Sequence, residues 1–195
     1  MSSRDEILAR VRRNQPAAQP LPEVPAFDAG RSNSLATFKA ALARMGGRIV
    51  DAPADGRIDG LLTTLFPDAR VICSAAPEVK GNRPIGEVRD PRELDDVDVG
   101  VVRAAFGVAE TGSVWLSEAQ YGIDALGFLA QHLVVLLDPE AIVTNLHVAY
   151  RHRGFFDARY AVFMTGPSAT ADIEGVLIHG AQGIRTMTVI PVPVP

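Results

Sequence analysis

The sequence predicts an α/β fold in which a parallel sheet is covered by helices on both faces. Segments with apolar residues at helical spacing alternate along the chain with short apolar runs that are typical of buried strands. The chain has 195 residues, of which 47% are hydrophobic. A chain of this size can bury one substantial core without disulfides or structural metals, so we expect one α/β domain with a short N-terminal arm.

The arm is predicted to begin with an amphipathic helix over the first fourteen residues. Ser3 is the expected N-cap, with Glu6 three residues later, and three apolar residues share one face: Ile7, Leu8 and Val11. A helix this short is marginal alone, because about 12–15 residues are needed even with good propensity. We therefore expect it to be disordered or docked on the domain, on a partner or on a second copy of the chain.

A proline-rich stretch follows the helix. Its four prolines prevent helix formation and favour an extended linker: Pro16, Pro20, Pro22 and Pro25. Residues 1–31 are therefore predicted to form the helix and linker, and residues 32–195 the α/β domain.

The elements of the domain are predicted from apolar spacing and from the glycines and prolines that end them. Helices are expected at 35–45, 58–65, 123–131, 139–152 and 170–179, and strands at 48–51, 71–73, 98–102, 113–116, 133–137, 160–164 and 186–190. Residues 77–96 are charged and rich in proline and glycine, which favours a long irregular loop. The tail, 191–195, is expected to be a loose terminus.

Charge and cysteine content narrow the classes of function. The chain has 19 Lys and Arg against 23 Asp and Glu, a net charge of −4, so it lacks the basic footprint of a nucleic-acid-binding protein. Cys73 is its one cysteine, which excludes an internal disulfide and a zinc or iron–sulfur centre held by cysteines of this chain alone. The longest charge-free apolar stretch, 125–137, is too short for a membrane span. We expect a soluble cytoplasmic protein.

Ala109-Glu110-Thr111-Gly112-Ser113 lies between two predicted strands and is the first candidate site. Its glycine permits a turn that exposes backbone N–H groups beside one carboxylate and two hydroxyls. Glu110 is the candidate nucleophile or general base, and Thr111, Gly112 and Ser113 are the candidate ligand-binding residues. The alternative is a hairpin turn in which Glu110 is solvated and Thr111 completes the turn hydrogen bonds.

The second candidate site, residues 165–174, lies between a predicted strand and a predicted helix. Ligands of open α/β sheets bind beyond the carboxyl ends of strands, and a helix start offers free N–H groups to a carboxylate or phosphate. The candidate ligand-binding residues are Thr165, Gly166, Pro167, Ser168, Thr170 and Asp172. The alternative is an ordinary helix start, with Thr170 as N-cap and the acidic Asp172 and Glu174 complementing the helix dipole.

The histidines do not have the spacing of metal ligands: His132, His147, His152 and His179. The glycine-rich dinucleotide fingerprint is also absent after the first strand. We therefore predict no metal site and no cofactor in this chain.

Taken together, the two segments resemble the lactate-utilisation protein C family, the small stand-alone LUD-domain proteins. The residues that carry the resemblance are Asp98-Val99-Gly100-Val101 leading to 108–113, then 163–168 with 170–174, and Gly180 and Gly183 after them. The resemblance covers roughly residues 32–190. It implies a Rossmann-like fold akin to the sugar-phosphate isomerase and CoA-transferase superfamily.

The same resemblance implies a role in oxidising L-lactate to pyruvate beside iron–sulfur partner proteins, which carry the clusters. This chain departs from the family pattern at three positions. Arg103 interrupts a Thr-Gly-Ala-like step, Ala169 replaces a common loop arginine, and Gln182 stands where a histidine is common. The loss of loop cations bears on whether this copy binds a carboxylate.

Three functional hypotheses are consistent with these motifs. One is an accessory component of a lactate-oxidising complex, whose motif loops receive a small anion, such as a carboxylate, or a partner. Another is a free-standing enzyme of the sugar-phosphate isomerase or CoA-transferase type that uses Glu110 as base or nucleophile. The third is an enzyme-like relic that only binds proteins. We expect Glu110, Thr111 and Ser168 to line one pocket at the carboxyl ends of neighbouring strands.

Overall fold

The computed structural model describes residues 2–173 and 175–194. Its strands are β1 (Arg48–Ile49), β2 (Ile72–Ser74), β3 (Arg83–Pro84), β4 (Val99–Arg103), β5 (Phe106–Val108), β6 (Ser113–Ser117), β7 (His132–Leu137), β8 (Ile142–Val143), β9 (Ala161–Met164), β10 (Ala169–Ile173), β11 (Val176–His179) and β12 (Thr186–Pro191). Its helices are α1 (Ser3–Arg13), α2 (Leu35–Arg44), α3 (Ile58–Leu65), α4 (Glu118–Tyr121), α5 (Leu126–Leu129), α6 (Leu146–Ala149) and α7 (Gly154–Asp157). Short 3-10 turns occupy Ile85–Glu87, Pro91–Leu94 and Pro139–Ala141.

The central sheet has six parallel strands in the order β1-β12-β7-β4-β2-β3. Neighbouring side chains on β4 and β7 alternate between its faces. Val101 and Val134 pack with α3 on one face, whereas Val102 and Val135 belong to the core that includes α2 on the other. The predicted α/β fold, with helices on both faces of a parallel sheet, is therefore confirmed.

A second sheet, in the order β8-β5-β6-β9, was not predicted from the sequence. β6 pairs antiparallel with both β5 and β9, and β8 runs parallel to β5. Val114 and Leu116 join the main core, while Phe106 and Trp115 stack on the opposite face with 5.4 Å between their ring centroids. Both faces of the sheet are thus apolar, which removes the alternation that marks a half-exposed strand.

The helix predicted over 139–152 is wrong. The chain forms a 3-10 turn from Pro139 and then β8, which pairs with β5 through the β-branched residues at 142–143. Asn145 ends this extended stretch and caps α6, its Oδ1 accepting a hydrogen bond from the Val148 N–H at 2.9 Å. Buried pairing of β-branched residues overrides the helical spacing of the apolar positions here.

The helix predicted over 170–179, with Thr170 as its N-cap, is also wrong. β10 and β11 form an antiparallel hairpin in which Thr170 is paired with Ile178. Gly175 has a φ of +72°, a left-handed conformation that glycine adopts without strain and that suits a tight turn. The segment therefore has no helix start to offer N–H groups to an anion, and Glu174 lies outside the described residues.

Within the helix predicted over 123–131 only the short helix α5 forms, and the preceding helix α4 was not predicted. Gly122 ends α4 with a φ of +68°, and a Cβ on Gly127 would lie 2.3 Å from the Tyr121 ring. The predicted irregular loop, 77–96, contains β3 and two 3-10 turns. The other predicted elements are present, with their ends shifted by a few residues. In the part of the chain described, no helix is long and apolar enough to cross a membrane.

α1 forms as predicted but begins one residue earlier. Ser2 rather than Ser3 is the N-cap, in a capping box with Asp5. Each serine has an acidic residue three positions later, so the sequence pattern alone does not distinguish them. No residue of α1 is buried.

Residues 24–31 contact the domain. The carbonyl oxygens of Ala26 and Phe27 accept hydrogen bonds from Nδ2 of the fully buried Asn145, at 2.8 and 2.9 Å. Arg31 forms an ion pair with Glu110. The second half of the proline-rich linker is thus fixed to the second sheet and its flanking loops.

The tail is not the loose terminus that the sequence predicted, at least through residue 194. β12 extends to Pro191, and the Val192 N–H donates to the Leu137 carbonyl at 2.9 Å. The Val194 N–H donates to Asp138 Oδ2 at 3.3 Å. Strand pairing therefore continues past the first proline, since the N–H groups of the valines alternate with the prolines and remain available.

Removal of residues 1–15 should leave the melting temperature of the domain unchanged, because no residue of α1 is buried. It should weaken self-association or partner binding if the face of Ile7 and Val11 is a docking surface. Removal of residues 1–31 should lower the melting temperature, because Asn145 would lose both carbonyl acceptors in a buried position. Circular dichroism on the two truncated chains tests this, and an unfolded 16–195 fragment would show that α1 belongs to the core.

Candidate functional site

The two candidate motifs meet at one end of the second sheet. Residues 109–112 join β5 to β6, and residues 165–168 follow β9. Because β5 and β9 are both antiparallel to β6, their carboxyl ends point the same way. The Thr165 hydroxyl links the motifs, since its Oγ1 lies 3.3 and 3.1 Å from the carbonyl oxygens of Thr111 and Gly112.

Each motif contributes a glycine that lies against the backbone of α2 or its C-terminal end. Gly112 has a φ of +69°, and a Cβ there would lie 2.2 Å from the amide nitrogen of Leu42. Gly166 has a φ of +67°, and a Cβ there would lie 2.0 Å from the carbonyl oxygen of Met45. Atoms cannot approach so closely, so the chain can pack here only because both residues lack side chains.

Glu110 lies in the β5–β6 hairpin turn, and both of its carboxylate oxygens have protein partners. Oε1 pairs with the Arg31 guanidinium, and Oε2 accepts a hydrogen bond from the Leu146 N–H at 3.3 Å. The Glu110 N–H donates to the Thr144 carbonyl at 3.1 Å. The residue thus connects the linker, the hairpin turn and the start of α6, as an anchoring carboxylate does.

Two residues around Glu110 were not predicted from the sequence. Asn145 is fully buried and caps α6 while it holds the linker carbonyls. Its position before an apolar residue is a usable N-cap signal, which the continuous helix predicted over 139–152 obscured. Arg31 lies 79 residues from Glu110 in the sequence, and no local pattern reports a contact over that separation.

Backbone contacts hold two serines of the motifs in place. Ser113 is buried, and its N–H donates to Thr111 Oγ1 at 3.3 Å. The Ser168 N–H donates to the Ile184 carbonyl at 3.0 Å, and its carbonyl accepts from the Gly180 N–H at 2.6 Å. These three hydrogen bonds stabilise the shape of the loops.

A groove of about 480 Å³ opens beside the second motif, between the end of α2 and the β10–β11 hairpin. Its lining includes Arg44, Met45, Thr165, Pro167, Leu177 and His179. The exposed side chains of Met45 and Leu177 make much of this groove apolar, and Arg44 contributes a permanent positive charge to its lining. Residues of the second motif and of α2 therefore share one surface.

Glu110, Thr111 and Ser168 are not among the residues that line this groove. A pocket shared by these three remains a prediction. Thr170 lies on β10 rather than at a helix start, and Asp172 is on the same strand. The predicted ligand contact of the Asp172 side chain lies outside the described residues.

Tyr121 and Cys73 are buried titratable groups of the core. The Tyr121 hydroxyl donates to Met164 Sδ at 2.8 Å, at the end of β9, and burial raises the pKa of this phenol. Burial also raises the pKa of the Cys73 thiol. Both groups therefore keep their protons at neutral pH and are poor nucleophiles there. No cluster of three or more His, Cys, Asp or Glu residues able to hold a metal occurs within residues 2–173 and 175–194.

The fold and the motifs together define a small α/β protein with a parallel central sheet and a second, mixed sheet. Two glycine-containing loops of the second sheet pack against α2. The family model described as LUD domain matches residues 24–192 of this chain. The chain therefore belongs to the LUD-domain family, and the resemblance derived from its motifs is confirmed. The match begins at residue 24, where the linker starts to contact the domain.

Two relatives from Deinococcus radiodurans are similar to this chain. One, named Lactate utilization protein C, is 30% identical over 103 residues, which are 51% of this chain and 49% of that protein. The chain thus spans about half the length of this curated relative. The other is the crystal structure of a DUF162 family protein, with a TM-score of 0.62 and 17% identity over 87% of this chain and 99% of that one. This second likeness supports the fold.

Replacing Gly112 with alanine should destabilise the domain by about 3 kcal/mol, through left-handed strain of about 1–2 kcal/mol and a steric clash with α2. Gly56→Ala is the matched control, because Gly56 has nearly the same φ, +70°, but nothing within 4 Å of its Cβ position. Urea unfolding of both variants measures the difference. Equal losses of stability would show that the close approach to α2 is not the reason for a glycine at position 112.

Proposed function

We propose that this chain is an accessory component of a lactate-utilisation system in which L-lactate is oxidised to pyruvate. The observation that carries this proposal is membership of the LUD-domain family together with similarity to a protein named Lactate utilization protein C. The similarity includes only half of each chain, so the reaction and the partners are inferred.

The redox centres of the system are assigned to iron–sulfur partner proteins, and no cofactor is assigned to this chain. Cluster ligation requires several thiolates, and this sequence has one cysteine, Cys73, whose side chain is fully buried in β2. Burial raises the pKa of its thiol, which disfavours the ligating thiolate. A lone unpaired cysteine also fits a reducing compartment, and we place the role in the cytoplasm.

The contacts of Glu110 favour an accessory role over the alternative enzyme of the sugar-phosphate isomerase or CoA-transferase type. A general base or nucleophile needs a carboxylate oxygen that can reach a substrate. Here Arg31 and the Leu146 N–H occupy one oxygen each, and the groove beside the second motif does not include Glu110. Catalysis by Glu110 would first require the Arg31 segment to move away.

Glu110→Gln separates these two roles. If Glu110 is an anchor, the variant loses the charge-assisted contacts to Arg31 and Leu146, and the free energy of unfolding should fall by about 1 kcal/mol. This value is small because the Arg31–Glu110 pair is partly exposed to solvent. Growth on L-lactate of a host whose own copy is disrupted should still be restored by the variant. Glu140→Gln, at an exposed position, is the control for loss of one negative charge. Lost growth with unchanged stability would instead identify Glu110 as catalytic.

The purified chain should lack visible absorbance and stoichiometric iron, whereas the tagged chain from its lactate-grown host should co-purify with iron–sulfur proteins. Iron analysis and absorbance spectra of both preparations test the assignment of the clusters. Several iron atoms per monomer in the reconstituted chain alone would overturn it. Failure of gene disruption to impair growth on L-lactate would overturn the accessory role itself.

A further inference from the structure

A cleft of about 310 Å³ opens at the amino ends of four neighbouring strands of the central sheet. Arg48, His132 and Thr186 are the first residues of β1, β7 and β12, and Asp98 directly precedes β4. Phe66, at the end of α3, forms an aromatic wall beside them. The volume lies at the lower end of the range of small-molecule sites, which is about 300–1,000 Å³.

Arg48 brings a positive charge to this cleft without a carboxylate partner. Its Nε donates to Oγ1 of the fully buried Thr188 at 3.0 Å, and its guanidinium carbon lies 5.9 Å from the centroid of the Phe66 ring. Throughout the described ranges, no acidic side chain forms an ion pair with Arg48. The contacts to Nε and to the ring fix the group, so its two terminal nitrogens remain able to bind a carboxylate side by side.

His132 is oriented in the same way. Its Nδ1 lies 2.8 Å from Thr186 Oγ1, and its ring centroid lies 4.9 Å from that of Phe66. Burial and the positive charges of Arg185 and Arg48 lower the pKa of this imidazole, against the opposite effect of Asp98. The ring is therefore neutral at pH 7, with Nε2 able to form a hydrogen bond to a ligand.

Asp98 supplies a fixed acceptor. Its Oδ2 accepts hydrogen bonds from the N–H groups of Arg70 and Val71 at 2.7 and 2.9 Å, which lower the pKa of this carboxyl. Among the described residues no hydrogen bond is made to Oδ1. Asp98 is thus an ionised carboxylate with one oxygen in place for a donor.

We propose that this cleft binds a small 2-hydroxycarboxylate, with Arg48 holding the carboxylate and His132 and Asp98 holding the hydroxyl. A hydroxyl suits both groups, because it donates to a carboxylate and either donates to or accepts from an imidazole. Phe66 faces the short alkyl group. Asp98 and Asp68, on the same cleft, oppose a second negative charge and so disfavour phosphate esters.

The choice of a hydroxyl over the ammonium of an amino acid rests on the proposed function, and L-lactate is therefore the probe. Calorimetric titration of the full chain should show saturable L-lactate binding. Propionate, which lacks the hydroxyl, should bind about tenfold more weakly, a loss of roughly 1.4 kcal/mol. Inorganic phosphate should not compete. Equal affinity for propionate, or a preference for L-alanine, would overturn the ligand assignment.

Arg48→Gln should weaken L-lactate binding at least about tenfold, through loss of a charge-assisted hydrogen bond. Arg57→Gln is the matched control, because the side chain of Arg57 is 84% exposed and is not among the residues that line the cleft. His132→Gln, which leaves Arg48 and Thr188 in contact, should also weaken binding and provides a second test if Arg48→Gln does not fold. Unchanged affinity in both cleft variants would overturn the proposal.

NMR titration of the His132 ring gives an independent readout. The negative charge of a bound carboxylate offsets the positive charges of Arg48 and Arg185, so L-lactate should raise the pKa of His132. Asp98 is the acidic group of the protein that faces His132, and it acts on this pKa in the same direction. An unmoved pKa at saturating L-lactate would place the ligand elsewhere. If the chain does not bind L-lactate but gene disruption impairs growth, only the proposed ligand site is overturned. If the chain binds L-lactate but gene disruption does not impair growth, only the accessory role is overturned.

Discussion

The contact between α2 and the glycines of the two motifs is the constraint on which the arrangement of the two sheets depends. Cβ atoms at Gly112 and Gly166 would lie 2.2 and 2.0 Å from atoms of the α2 region, distances that no side chain tolerates. Because the backbones touch, Phe38 and Leu42 of α2 reach full burial in the core between the sheets. The glycines of both motifs thus have a packing explanation that does not require a ligand.

Secondary structure was predicted correctly for most elements, and the predicted helices failed in two segments whose apolar residues match helical spacing but pair as strands. The helices around Phe38 and Leu62 follow apolar spacing, and both have fully buried side chains at those positions. In 139–152 the apolar residues also match helical spacing, but the β-branched pair of β8 finds a partner in β5, more than thirty residues earlier. In 170–179 the pairing is local, because β10 and β11 form a hairpin around Gly175, which has a positive φ.

The candidate site shows the same division between local and distant information. Both motifs were predictable as loops after strands, and their meeting followed from strand direction once β6 was known to pair with both β5 and β9. The state of Glu110 was not predictable. Its partner Arg31 belongs to the linker, for which the proline content predicted only an extended conformation. A carboxylate without partners in its own motif can therefore be paired with distant residues once the chain folds, and these distant contacts determine whether it can act as a base or nucleophile.

The two edges of the central sheet differ in how their charges are compensated. At the carboxyl edge, where sheets of this class usually bind ligands, Arg103 pairs with Glu78 at 2.5 Å and donates to the Val192 carbonyl at 3.1 Å. The arginine that departs from the family pattern is thereby neutralised, and the tail lies across the strand ends. At the amino edge, Arg48 has aromatic and hydroxyl contacts but no acidic partner among the described residues. The proposed ligand is therefore placed at the amino edge, where Arg48, unlike Arg103, has no acidic partner within ion-pair distance among the described residues.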